Sequence, residues 1–409
     1  MTDTCCIIIG ASHAGGQLAV SLRQSGWEGR ILAIGSEPYL PYNRPPLSKT
    51  FLSGEKNIED LLIRPEDQYE KVGIEFLLGQ EVSEINRKAK KVTLTHGEVI
   101  AYDKLALTTG ASVRKLNLPG SDLRGVLYLR DISDVEQIQH FIGAGKKAVI
   151  IGGGYIGLET AAVLKKQDLD VTILEASDRI LNRVTAPDVS AFFTRVHSEE
   201  GVTIKTGVNV TGFGGEAHVS EVQCADGTVF PTDLVVIGIG VVPNTALAEA
   251  AGLEVRNGIN VNEHCLTNDG DIAAAGDCTN FYQSLYEREI RLESVQNAMD
   301  QAKVAAAALC GNLNQYNALP WFWSDQYDLK LQIAGLSEYF DEVVLRGNPA
   351  EGRKFSAFYF RDGRMIAVDA VNSPQEFMLG KLIISKQLEV DRNRLSDPAV
   401  AMKELMVSL

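Results

Sequence analysis

Two glycine-rich runs carry the clearest chemistry in this sequence. In KAVIIGGGYIGLETAAVLKK, Gly152, Gly154 and Gly157 stand at G-x-G-x-x-G spacing. The first glycine of such a run makes a tight turn, the second lets backbone approach a pyrophosphate, and the third lets helix pack closely on strand. Exposed N–H groups and the positive end of the helix dipole then hold the phosphates. The spacing gains meaning from its setting: a strand before it, a helix after it, and an acid some 20 residues on. Ala148 to Ile151 is predicted as the strand and Ile156 to Lys165 as the helix. VTILE is a second strand ending at Glu175, whose carboxylate would accept from a ribose diol.

The second run, TCCIIIGASHAGGQLAVSL from Thr4, repeats this design 142 positions earlier. Gly10 and Gly15 hold the outer positions and Ser12 replaces the middle glycine, its hydroxyl able to bond a phosphate oxygen. RILAIGSE supplies the next strand, with Glu37 as ribose acceptor. His13, inside the turn, reads as a helix-start residue facing phosphate rather than as an acid or base. Two cradles imply two dinucleotides, and the simplest use of two is hydride passage from a nicotinamide to a flavin.

The elements that position these turns belong to an ordinary soluble chain of 409 residues, 45% hydrophobic and 22% charged, long enough for two or three domains. A net charge of −14 argues against nucleic acid as a partner. The first apolar run begins at Cys5 with no basic region before it, unlike a secretory signal. The most apolar long stretch, Ala148 to Leu164, contains Glu159, so no membrane span is expected and the reading is cytoplasmic. Six cysteines, at 5, 6, 224, 265, 278 and 310, form no C-x-x-C pair and no zinc spacing, so no metal is expected.

Four further blocks are more specific than either glycine run: LPYNRPPLSK (Leu40 to Lys49), DIAAAGDCTN (Asp271 to Asn280), RLESVQNAMDQAKVAA and PWFWSDQYDLKLQIAG. Together they resemble the FAD-dependent, NADH-using ferredoxin reductases of bacterial oxygenase systems, over essentially the whole chain. That resemblance implies an α/β fold with two Rossmann-like dinucleotide-binding domains in a glutathione-reductase-like arrangement, plus a C-terminal α+β interface domain. The expected boundaries are 1–113 with 235–314 for FAD, 114–234 for NAD and 315–409 for the interface domain. YDKLALTTGAS reads as the exit from the first domain and TDLVVIGIGVVPN as the return. Past residue 315, segments such as KLQIAGL and KFSAFYF alternate as antiparallel strands do.

The resemblance also implies site residues. FAD contacts fall on Ala14, Glu37, Lys49, Val82, Arg130, Asp277 and Val295, beside the cradle residues Gly10, Ser12, His13 and Gly15. Arg44, Lys49 and Arg130 would place positive charge near the pyrophosphate and the reduced flavin. Trp323 is expected against the isoalloxazine, while Trp321, on the same strand face, is expected in the core. The NAD set is Gly152, Gly154, Tyr155, Ile156, Gly157, Glu159, Glu175, Arg183 and Gly240. Lys49 and Glu159 would form an ion pair beside the flavin, because a carboxylate on the small-residue side of a helix start is costly unless paired.

The implied reaction is hydride transfer from NADH to FAD, then single electrons to a [2Fe–2S] ferredoxin that feeds a terminal oxygenase, either a ring-hydroxylating dioxygenase or a cytochrome P450. It requires no catalytic acid, base or nucleophile. A disulfide reductase needs a dithiol near the flavin, yet no cysteine lies between Cys6 and Cys224. A rubredoxin reductase differs only in its acceptor. An apoptosis-inducing-factor-like NADH-binding flavoprotein shares RPPLSK but would carry long insertions. Lys330, with Arg64 and Lys303, is the candidate basic patch for an acidic partner.

Overall fold

The computed structural model describes residues 4–407. The chain divides into two compact units, the first comprising Met1–Asn43, Ile58–Ser112 and Val241–Ala318, the second Arg44–Asn57, Val113–Gly240 and Leu319–Leu409.

In the first unit, CCIII, RILAIG and KLAL are near-continuous apolar runs, which suits strands buried on both faces of a parallel sheet. Cys5–Ile9 lies at the centre between Arg30–Gly35 and Lys104–Leu107, with Ile74–Leu78 and Ile272–Ala274 at the edges, all parallel. Helices His13–Gln24 and Val295–Leu309 pack together through small buried residues, among them Ala14, Ala298, Ala302 and Ala305. A separate antiparallel sheet joins Val82–Asn86, Lys91–Leu94 and Val99–Ala101.

The second unit repeats the parallel design with Lys147–Ile151 at the centre, flanked by Asp170–Leu174 and Leu234–Ile237, with Thr203–Lys205 and Val126–Tyr128 at the edges. Leu234–Ile237 pairs with the central strand, so this sheet runs on past the boundary expected at 234. Helix Tyr155–Lys166 follows the central strand, slightly longer than predicted at each end, and its last turn carries Lys165 and Lys166, favourable at the negative end of the helix dipole. The same unit holds a five-stranded antiparallel sheet in the order Trp321–Gln326, Leu329–Gly335, Arg364–Val371, Phe355–Arg361, Glu342–Arg346. Helix Pro374–Lys386 lies on it so closely that a Cβ on Gly380 would fall 2.4 Å from Val368. Trp321–Gln326, the edge strand, packs against helix Tyr155–Lys166. Among the described residues, no helix is long and apolar enough to cross a membrane.

Candidate active site

The first cradle opens where Cys5–Ile9 ends. Gly10 has φ of +110°, donates its N–H to Ile34 O at 2.7 Å, and lies so near Thr108 that a Cβ would fall 2.2 Å from its carbonyl oxygen. Only glycine tolerates both constraints. A Cβ on Gly15 would lie 1.9 Å from Gly10 O, which explains the third glycine. Ser12 is the N-cap of His13–Gln24 with extended backbone and no side-chain capping bond, and His13, Ala14 and Gly15 are buried in the first turn. Gly276 sits where a Cβ would be 3.2 Å from Ala14 and 3.7 Å from Ala298. The turn of Gly276 and Asp277 therefore seats between the starts of the two packed helices, which brings Asp277 and Val295 to this cradle. Gly35 abuts Ala11, and two residues on, Glu37 accepts a hydrogen bond from the Tyr42 phenol at 2.5 Å. Val82 is buried opposite Leu94 on the separate antiparallel sheet, not on the cradle's own sheet.

The second cradle has the same skeleton. Gly152 has φ of +109°, donates to Leu174 O at 2.8 Å, and would set a Cβ 2.4 Å from Gly238 O. A Cβ on Gly157 would lie 2.2 Å from Gly152 O. A Cβ on Gly154 would meet nothing within 4 Å, so this glycine faces open space, as a ligand-facing position must. Both turns thus fit dinucleotides: their inward positions are closed by backbone, and the outward position of the second is open. Glu175 is anchored by the turn itself, Oε2 accepting from Gly153 N–H at 2.7 Å and Oε1 from Ser177 N–H at 2.8 Å. A carboxylate has about four acceptor sites, so capacity remains for a diol. Exposed Arg183 places Nη2 4.0 Å from the Cβ position of Gly240, putting both on one rim. Ile156 is 45% exposed in the first helical turn, and Tyr155 stacks edge-on to Phe322 at 5.2 Å, its phenol pKa driven up by burial.

Glu159 faces inward from that helix at 3% exposure. Prolines at the start of the short helical turn Pro45–Ser48 stiffen the segment that brings Ser48 and Lys49 to it. Lys49 Nζ and Ser48 Oγ each donate to Glu159 Oε2 at 2.6 Å, and Ser324 Oγ donates to Oε1 at 2.6 Å. Three donors compensate the buried charge, as a desolvated carboxylate requires. Arg44 Nη1 donates to Arg130 O at 2.8 Å, and Arg130 N–H to Asp134 Oδ2 at 2.8 Å, so Arg44, Lys49 and Arg130 all belong to the second unit.

Trp321 and Trp323 do share a strand face, their rings 5.8 Å apart, with Trp321 also against Phe377 and under Lys381. Trp321 is only half-buried, packed on a helix rather than enclosed in a core. Trp323 faces the side of its strand opposite to Ser324 and Gln326. Sequence reasoning missed Ser48, Ser324, Gln326 and His197, all of which hold Glu159 directly or through one another. The two-residue spacing of Ser324 and Gln326 was the available sign, polar residues sharing one face of a strand. Of the candidate patch, Arg64 donates to Gln17 Oε1 at 3.3 Å and Lys303 pairs with Asp300 at 3.0 Å, while Lys330 is exposed and stands in register with Asp325. All six cysteines are free thiols, each with its pKa pushed up by burial.

Residues 4–302 match the pyridine nucleotide-disulphide oxidoreductase family and residues 321–406 the reductase C-terminal family. The chain is 45% identical to putidaredoxin reductase of Pseudomonas putida, over 98% of this chain and 96% of that protein. It is 37% identical to the ferredoxin–NAD(+) reductase component of the anthranilate 1,2-dioxygenase system of Burkholderia cepacia, over 98% of each. The reductase in a crystal structure of the covalent putidaredoxin reductase–putidaredoxin complex superposes with a TM-score of 0.97 at 44% identity, covering 100% of this chain and 99% of that one. On this likeness over its full length, the chain belongs to the pyridine nucleotide-disulphide oxidoreductases and, within them, to the ferredoxin reductases of bacterial oxygenase systems.

Proposed function

We propose that this ferredoxin reductase oxidises NADH in its second cradle, with FAD in its first, and passes electrons singly to a [2Fe–2S] ferredoxin feeding an oxygenase. The observation that carries the reading is the pairing of two closed glycine turns, each with its own acid, in a chain whose six cysteines are all free thiols. Relatives named for putidaredoxin and for a dioxygenase system support the same class of acceptor. The domain assignment follows: 1–113 and the residues from 241 to 314 for FAD, 114–240 for NAD, and 315–409 toward the partner.

When bound, a flavin supplies the step from paired to single electrons. The chain's own work is alignment and charge. Ser12, His13, Ala14 and Gly15 would present N–H groups to one pyrophosphate, and Gly154, Tyr155, Ile156 and Gly157 to the other, while Gly10 and Gly152, whose own N–H groups are taken by Ile34 O and Leu174 O, make the turns that expose them. Glu37 and Glu175 accept from ribose hydroxyls. Glu175 also repels a 2′-phosphate, which favours NADH over NADPH. Asp277, Val295 and Val82 would complete the flavin's surroundings, and Trp323 would contact the ring, as the family resemblance implies. Lys49, held by Glu159, would favour negative charge on a reduced flavin bound near it, and Arg44 and Arg130 would add positive charge. Arg183 and Gly240 border the nicotinamide nucleotide. No side chain need give or take a proton.

Anaerobic mixing of the flavin-loaded protein with NADH should bleach the flavin, and subsequent addition of a [2Fe–2S] ferredoxin should restore it while reducing the cluster. Faster bleaching by NADPH, or transfer to rubredoxin but not to ferredoxin, would refute the proposal.

A further inference from the structure

Glu159 is the end of a longer line of polar groups. Ser324 Oγ, which donates to Glu159 Oε1, lies 3.1 Å from Gln326 Nε2. Gln326 Oε1 lies 2.8 Å from His197 Nε2, and His197 Nδ1 lies 3.3 Å from the Tyr327 hydroxyl. Ser324, Gln326 and His197 are 1%, 2% and 0% exposed. The line crosses from the edge strand Trp321–Gln326 to helix Pro187–Glu199, and every member belongs to the second unit.

The carboxylate end fixes the direction of each hydrogen. An ion-paired carboxylate only accepts, so the Ser324 hydroxyl must donate to it. The Ser324 oxygen then accepts from the Gln326 amide nitrogen, which turns the amide oxygen toward His197. His197 must therefore carry its hydrogen on Nε2, leaving Nδ1 to accept from Tyr327. All four donors point the same way, and bonds so aligned strengthen one another in a dry interior. Burial pushes the His197 pKa down, against the upward pull of its Gln326 bond and of the nearby Glu200 charge, in keeping with a neutral ring.

We infer that Ser324, Gln326 and His197 form a one-way hydrogen-bond relay that positions Glu159, and through it Lys49, with His197 locked as the neutral Nε2–H tautomer. They are positioning residues. The relay rests on geometry alone; its effect on hydride transfer rests on the function proposed above.

The test uses the FAD-loaded protein labelled with 15N-histidine. One ring of six should show the neutral Nε2–H tautomer, stay neutral to below the usual histidine range, and vanish in His197→Gln. An Nδ1–H tautomer or a charged ring at pH 7 would overturn the relay. Ser324→Ala, the smallest cut, should move the His197 ring shifts; unchanged shifts would also overturn it. In stopped-flow reduction by NADH, Ser324→Ala and Gln326→Leu should each slow the flavin's bleaching by roughly 3- to 10-fold, and the double variant should be no worse than Ser324→Ala. Additive losses would mean packing damage rather than a relay. His197→Gln, which keeps a donor and an acceptor, should lose less than His197→Phe; equal losses count against the inference. If the tautomer is as expected but Glu159→Gln leaves bleaching unchanged, the relay stands and the assigned role of Glu159 fails.

Discussion

Gly10 and Gly152 turn their chains at φ of +110° and +109°, and each closes against a carbonyl oxygen of the strand or turn beside it. Seven positions further on, the correspondence ends. Gln17 in the first helix donates to Ser21 Oγ at 2.9 Å and accepts from Arg64, whereas Glu159 in the second accepts from Lys49, Ser48 and Ser324. The acids on the following strands differ too. Glu37 is steadied by a phenol from a later loop, Glu175 by the N–H groups of its own turn. Local sterics fix the cradle, while its chemistry arrives with side chains from elsewhere in the chain. Only the second cradle has been given a buried charge.

The sharpest way to separate the cradles is to fill each one. Gly152→Val should yield a yellow, flavin-loaded protein whose kcat/KM for NADH falls by ~100-fold or more, since misplacing a bound substrate by about 1 Å already costs that much. Gly10→Val should instead lose flavin. Flavin loss from both variants would break the assignment of one dinucleotide to each turn.

Exchanging the charge comes next. Glu159→Gln makes the second helix resemble the first but leaves Lys49 half-enclosed beside a neutral amide. Breaking a buried pair costs about 3 kcal/mol, so urea unfolding should show a loss near that size, while Gln17→Leu should cost about 1 kcal/mol. The reverse order would show that the contrast between the helices carries no energetic weight.

A smaller effect separates the two acids. Glu175→Ala should narrow the preference for NADH over NADPH by roughly tenfold, about 1.4 kcal/mol. Glu37→Ala should leave the NADH/NADPH ratio alone and weaken flavin retention. Steady-state kinetics with both nucleotides and the flavin content of the purified proteins check this together.

A last contrast lies behind the second cradle and is read through pH. Asp369 is fully buried and accepts from the Tyr359 hydroxyl at 2.5 Å, and it adds to the burial that raises the pKa of Tyr155 at the cradle's helix start. Burial raises its own pKa to about 7, with the Tyr359 bond pulling the other way. The unfolded chain releases this proton near the ordinary carboxyl value of about 4. Stability therefore falls as pH rises from about 4 to 7 and levels off above. Asp369→Asn keeps an acceptor for Tyr359 and should remove that slope, so its Tm advantage should grow between pH 5 and pH 8. An advantage independent of pH would contradict the buried, protonated carboxyl.

The cradles were legible because their geometry is local: glycine spacing, an apolar strand, and an acid at the end of the next strand. The shared face of Trp321 and Trp323 was legible for a similar reason, since strand alternation needs only neighbours. The Glu159 site was not. A buried carboxylate announces that it needs partners, and resemblance pointed to Lys49. Ser48 and Ser324, however, reach it across 111 and 165 positions of chain, and no periodicity encodes that. His197 looked like any helical histidine until its ring was seen to face a buried amide. Arg64 read as a surface charge, yet its guanidinium turns to Gln17, because a long side chain can lay its tip against a distant helix. The inner boundary at 234 failed for a topological reason: LVVI is an apolar strand that either sheet could have taken, and only its pairing with Lys147–Ile151 decides.

The six cysteines have a meaning for endurance. When dioxygen intercepts a single electron from a flavoprotein it becomes superoxide, two of which dismutate to peroxide and dioxygen, and peroxide attacks thiolates, not thiols. Burial pushes the pKa of every thiol here upward, Cys6, Cys224, Cys265 and Cys278 being buried and Cys5 and Cys310 half-buried, and all six are free. The fold thus disfavours thiolate, the form peroxide attacks, at each cysteine of a chain that hands out single electrons.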